Sequence, residues 1–159
     1  VFSCVVRSKL EYAVEVWAPY QRKYINSIEQ LQKKFLRYLL MRIRGSYPQF
    51  MHHEELLRET GFRSLESRRN GSLMVLCHKI INGIIDSPTL LEGFRLYVPD
   101  DYRRGRGHDL FHVPMSRTDV VAQHPLTRSV KLVNKSKIDI FNCKLEQFKT
   151  LVKEFLPAC

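Results

Sequence analysis

The chain has 159 residues, enough for one domain with a modest core. With 44% hydrophobic and 26% charged residues it is not a disordered chain, and it has no run of about 18 apolar residues to span a bilayer. Lys and Arg total 26 against 16 acids, a net charge of +10 that favours a polyanionic partner, most simply nucleic acid.

In chain order, Phe2, Val5, Val6, Ala13, Val14 and Trp17 recur mostly at helical steps. Residues 2–17 therefore read as one helix, with Ser8 as the place where it would break and Pro19 as its stop. Trp17 shares the apolar stripe, which predicts core packing rather than a base-stacking platform. A second helix is predicted over residues 21–44, where no Gly or Pro intervenes, and Gly45 ends it. Its apolar stripe is Tyr24, Ile25, Ile28, Leu31, Phe35, Leu36, Leu39, Leu40 and Ile43. The opposite side carries Arg22, Asn26, Glu29, Lys33, Arg37 and Arg44, flanked by Lys23, Gln30 and Lys34. Such a helix can pack by one side and offer cations from the other.

Residues 52–60 read as a short helix closed by Gly61 in a left-handed cap. Ser64 opens the next helix, with Leu65, Leu73, Leu76, Cys77, Ile80, Ile81 and Ile84 on one side. Gly71 weakens this helix by about 1 kcal/mol relative to Ala. Ser87-Pro88 has the chemistry of a helix start. From Phe94 the texture changes. Residues 94–98 alternate and stop at Pro99, predicting a strand that pairs with a short second strand over 110–113. Between them lies a polar, Gly-containing loop with Arg103, Arg104, Arg106 and His108. Two further helices are predicted over 126–135 and 144–156.

Catalytic constellations are lacking. Adjacent Asp100 and Asp101 point to opposite sides of an extended chain, and two-metal phosphoryl transfer needs several converging carboxylates. His52-His53 followed by Glu54-Glu55 lacks the i, i+4 spacing of a zinc helix, and acids in a first helical turn explain it better. Cys4, Cys77, Cys143 and Cys159 form no C-x-x-C pair and fit no disulfide framework, which points to a reducing compartment. Nucleophile elbows and phosphate loops are absent. Two cationic surfaces remain as candidates: Arg22, Lys23, Lys33, Lys34, Arg37, Arg42 and Arg44 on the second helix, and Arg103, Arg104 and Arg106 in the loop.

The string Val5-Val6-Arg7-Ser8-Lys9-Leu10-Glu11-Tyr12-Ala13, followed by Val16-Trp17-Ala18-Pro19-Tyr20, resembles the C-terminal part of jockey-like non-LTR retrotransposon reverse transcriptases. The likeness continues through Ile25-x-x-Ile28-Glu29-x-Leu31-Gln32-Lys33-Lys34-Phe35-Leu36-Arg37-Tyr38. It returns at Leu65-Glu66-x-Arg68-Arg69, Ile80-Ile81-Asn82-Gly83, Ile85-Asp86-Ser87-Pro88 and Val98-Pro99. Further pieces are Leu110-Phe111-His112-Val113-Pro114, Pro125-Leu126-x-Arg128 and Phe148-Lys149. Each piece is weak by itself; their order is the specific feature. Lys9 and Glu15 depart from the apolar or small residues usual at those places.

The resemblance implies a thumb, the helical subdomain that grips template–primer, followed by a post-thumb segment. It places the aromatic-x-Asp-Asp motif of the palm, and the magnesium used there, upstream of these residues. The chain starts at Val1 inside an apolar run, which reads as a piece of a longer polypeptide. The expectation is a mainly α fold: a thumb-like helical bundle over residues 1–92, and a post-thumb segment over 93–159 with a small two-stranded β element, a basic loop and C-terminal helices. The expected function is non-catalytic binding of RNA or DNA, an RNA–DNA duplex above all, through phosphates. No cofactor and no membrane are expected. The partners would be nucleic acid and the upstream palm and fingers, in an intracellular setting, nucleus and cytoplasm for an active element. The alternative is a protein-interaction or structural helical domain of a retroelement-derived protein.

Overall fold

The computed structural model describes residues 2–48, 50–97 and 109–156, apart from the Ser3 side chain. Among these the protein is mainly helical. A π-helical turn at Phe2–Val6 leads into α1 (Arg7–Glu11), α2 (Val14–Trp17), α3 (Arg22–Arg44), α4 (His53–Thr60) and α5 (Leu65–Ile81). Then come α6 (Pro88–Leu91), α7 (Asp119–Ala122), α8 (Pro125–Ser136) and α9 (Leu145–Phe155). The chain gathers into two compact units, Val1–Arg69 with Leu156–Cys159, and Asn70–Phe155. The division falls inside α5.

In the first unit, the expected single helix over 2–17 is broken at Tyr12–Ala13 rather than at Ser8. Tyr12 is extended and Ala13 sits in the left-handed region at φ 48°. The break frees the Tyr12 carbonyl, and the Trp17 indole N–H donates to it at 2.7 Å. It also spoils the helical spacing counted across it. Val14 takes the buried position, at 1% exposure, and Trp17 is 41% exposed. The expectation that Trp17 packs in the core is therefore corrected.

Helix α3 runs its expected length because nothing in it breaks the ladder. Gly45, at φ 74°, turns the chain in the left-handed region and donates its N–H to the Met41 carbonyl. Ile25, Gln32, Leu36 and Leu40 are buried. Leu36 and Leu40 form a core with Leu56 and Leu57 of α4, and Phe35, Met51 and Phe62 pack against it. Phe2 stacks on Phe35 with ring centres 4.1 Å apart, and Phe62 meets the same ring edge-on at 6.1 Å. Helix α4 begins with Glu55 accepting the His52 N–H at 3.0 Å, the second half of a capping box, and ends at Gly61. Helix α5 starts with Ser64, whose hydroxyl accepts the Ser67 N–H at 3.1 Å.

In the second unit, Leu73, Met74, Cys77, His78 and Ile80 of α5 are buried, as are Val130 and Val133 of α8 and Phe148 and Val152 of α9. The His78 Nε2–H donates to the Cys143 carbonyl at 2.8 Å, and its ring lies 4.5 Å from that of Phe148. Asn82 donates to the carbonyls of His78 and Ile140. The expected two-stranded element reduces to a single antiparallel bridge, Leu96 with Phe111, and no strand forms among the described residues. On one side Phe94 still donates its N–H to the Leu91 carbonyl at 3.0 Å in the turn after α6, on the other Pro114 has no N–H to give, and the far edge of Phe111 is taken by Asn134. The Asn134 amide oxygen accepts the Phe111 N–H at 3.0 Å and its amide nitrogen donates to the Phe111 carbonyl at 2.8 Å. A side chain of α8 thus satisfies the backbone groups that would face a further strand.

Candidate nucleic-acid interface

Helix α3 carries seven of the ten cations singled out in the sequence, and the structure sorts them. Lys23 and Lys34 are exposed and make no ion pair among the described residues. Arg22 pairs with Glu66 of α5 at 3.2 Å, and Arg44 pairs with Glu59 of α4. Arg37 is half-buried and points a guanidinium nitrogen at the Met51 carbonyl, 3.5 Å away. Lys33 is also half-buried. These last four do not form one open cationic face with Lys23 and Lys34. Arg103, Arg104 and Arg106, with His108 and the Asp100-Asp101 pair, lie outside the described residues.

Glu29 shows why the sequence picture of α3 shifts. Its spacing puts it on the outward, cation-bearing side, yet its carboxylate turns inward to the start of α5. Its Oε1 accepts the Glu66 N–H at 2.6 Å and its Oε2 the Leu65 N–H at 3.3 Å. His53 of α4 lies 3.2 Å from the same Oε2, and Arg69 is 3.6 Å from Oε1. Burial pushes this carboxyl up. The His53 contact, the two amides and the Arg69 charge together outweigh that and hold it below its ordinary value. Gln32, 1% exposed, donates to the Arg63 carbonyl at 2.9 Å. Glu29 and Gln32 hold the helix by polar contacts on its inner side. They were legible only as polar residues one and two turns from Ile25.

The outer side of α3 is correspondingly different from the expected one. Lys23, Ser27, Leu31, Lys34, Tyr38 and Arg42 follow one another at steps of three or four residues, so they share a helical face. All are exposed, and Tyr24 lies beside them. Tyr24 is 53% exposed, Leu31 47% and Tyr38 52%, so Tyr24 and Leu31 leave the core stripe to which their spacing assigned them. The signal that could have found them is the seven-residue step from Tyr24 to Leu31 to Tyr38. Glu29, the helix's one carboxylate, is absent from this face. The face is basic and aromatic, with Lys23, Lys34 and Arg42 as its cations.

No helix among the described residues is long and apolar enough to cross a membrane. Among the same residues no group of three or more His, Cys, Asp and Glu side chains could hold a metal ion. His53 turns its Nε2 to the Glu29 carboxylate, 3.2 Å away. Comparison with protein-family models, with curated proteins and with solved structures returns no match. What stands is a mainly helical protein with one long, basic, tyrosine-bearing helix face.

Proposed function

We propose that this chain is the thumb and post-thumb part of a non-LTR retrotransposon reverse transcriptase and holds template–primer nucleic acid by its phosphates. The observation that carries this reading is the outer face of α3, where Lys23, Lys34 and Arg42 stand exposed with no carboxylate on the same face. The net charge of +10 and the ordered series of sequence resemblances support it. Contacts of this kind set position and affinity without reading bases. Polymerisation, in this reading, belongs to palm carboxylates and magnesium supplied by the upstream polypeptide, and this chain contributes grip alone.

The test is fluorescence anisotropy of a labelled RNA–DNA duplex across a salt series. Three phosphate contacts from α3 give a log–log slope of about −2.7. Reversing Lys23, Lys34 and Arg42 to Glu should weaken binding and flatten the slope by about that amount, with helix content unchanged by circular dichroism. Binding that ignores salt, or none at low salt, sinks the reading. The second reading, a protein-interaction domain, draws on the exposed Tyr24, Leu31 and Tyr38. Concentration-dependent sedimentation that vanishes when these three are made polar would favour it.

A further inference from the structure

Phosphate grip accounts for the lysines and Arg42, but not for the tyrosines between them. Tyr38 has Lys34 one turn before it and Arg42 one turn after it, and Tyr24 follows Lys23 directly. The two rings are separated by fourteen residues, about 21 Å along the helix. About half of each tyrosine's surface is open to solvent. A duplex presents phosphates and groove edges, and an exposed tyrosine finds no base face there. An unpaired strand presents phosphates and open base faces together, and alternating cations and aromatic rings are the pattern that binds it. A partner helix fits the face less well. Its exposed row holds Leu31 as its one aliphatic residue, and Lys34 interrupts it at mid-length, where a helix seam needs continuous apolar positions. A second copy of the chain would set Lys23, Lys34 and Arg42 against their own kind.

We infer that the outer face of α3 binds unpaired nucleotides, Tyr24 and Tyr38 stacking on bases while Lys23, Lys34 and Arg42 hold the flanking phosphates. This rests on the nucleic-acid reading above and narrows it to the single-stranded part of a template–primer. Leu31 lies between the two rings and offers an apolar contact to the intervening sugar or base. Stacking tolerates any base, so the face carries little sequence preference.

The experiment compares a blunt RNA–DNA duplex with the same duplex bearing an unpaired overhang of about six nucleotides, within the site sizes of single-strand binders. The whole chain is used, with anisotropy as the readout. The overhang should tighten Kd by about tenfold or more, the gain expected for stacking one or two bases. Tyr24→Ala with Tyr38→Ala should abolish that gain and leave blunt-duplex binding unchanged. Tyr24→Phe with Tyr38→Phe should keep it, because the ring persists. Should the alanine pair lower helix content, Tyr24→Gln with Tyr38→Gln serves instead, since a polar side chain suits an exposed site. An overhang that adds nothing, or a gain that survives loss of both rings, overturns stacking while the phosphate grip stands. Failure to bind either nucleic acid overturns both. Loss of self-association in the tyrosine variants with nucleic-acid binding unchanged would assign the face to protein contact and overturn the inference.

Discussion

Glu29 of α3 accepts the Glu66 N–H at 2.6 Å, so a side chain from one helix caps the first turn of another. The first amides of a helix have no partner within it, and a carboxylate there also meets the positive end of the helix dipole. With Leu65, His53 and Arg69 around the same two oxygens, Glu29 ties α3, α4 and α5 together.

Replacing Glu29 with Ala should therefore destabilise the protein by about 1–3 kcal/mol, by analogy with lost caps and orphaned buried donors. Urea unfolding should show a lower midpoint at an unchanged slope. The pH dependence follows from the direction of the shift. The folded carboxyl titrates below its ordinary value of 4.5. Its contribution is therefore complete above that value and is lost as pH falls through the lower folded pKa. Glu29→Gln, which carries no titrating carboxyl, should flatten the acid limb of the stability curve.

Trp17 reports on the break at Ala13. It is the chain's one tryptophan, 41% exposed, and bonded to the Tyr12 carbonyl. The native protein should show red-shifted emission and ready quenching by acrylamide. Blue-shifted, quench-resistant emission would return Trp17 to the core. Trp17→Phe keeps a ring and removes the donor, so it should cost about 1 kcal/mol.

Ala13 itself holds a backbone conformation that disfavours any side chain, at φ 48°. Ala13→Gly removes the Cβ clash that costs about 1–2 kcal/mol in this region, set against roughly 0.5–1 kcal/mol of added chain entropy. The net expectation is a small gain, read as a rise in Tm of the variant over the wild type.

The cysteines should separate by reactivity. Cys77 is buried, and burial pushes its thiol up to about 12 although a hydrogen bond with Ser129 pulls the other way. Cys4 is exposed. Under native conditions at neutral pH, iodoacetamide followed by peptide mass spectrometry should label Cys4 well before Cys77. Cys77 should react only on denaturation.

The helices were largely legible. An uninterrupted span up to Gly45, the cap at Gly61 and the Ser64 start rest on interactions within a few residues, and each is found where the sequence puts it. The break at Ala13 was not legible, because an alanine gives no warning of a left-handed turn. The missing strand pair was not legible either. Residues 94–97 and 110–113 have the right alternation, but whether a ladder extends depends on what else reaches the backbone. Phe94 is held in the turn after α6 by its bond to the Leu91 carbonyl, and Asn134, more than twenty residues along the chain, closes the far edge of Phe111.

For the candidate interface, residue spacing alone establishes that a long, basic, amphipathic helix exists and which residues are on it. It leaves open which way that helix faces. Apolar residues from Tyr24 to Ile43 spread over so much of the α3 circumference that several orientations bury a comparable stripe. Partners distant in sequence set that orientation. Leu56 and Leu57 take Leu36 and Leu40, the amides of Leu65 and Glu66 take Glu29, and the Arg63 carbonyl takes Gln32. Once those contacts fix the inner side, Tyr24, Leu31 and Tyr38 join Lys23, Lys34 and Arg42 on the outside, because a rigid helix that turns one face inward must turn its opposite face out.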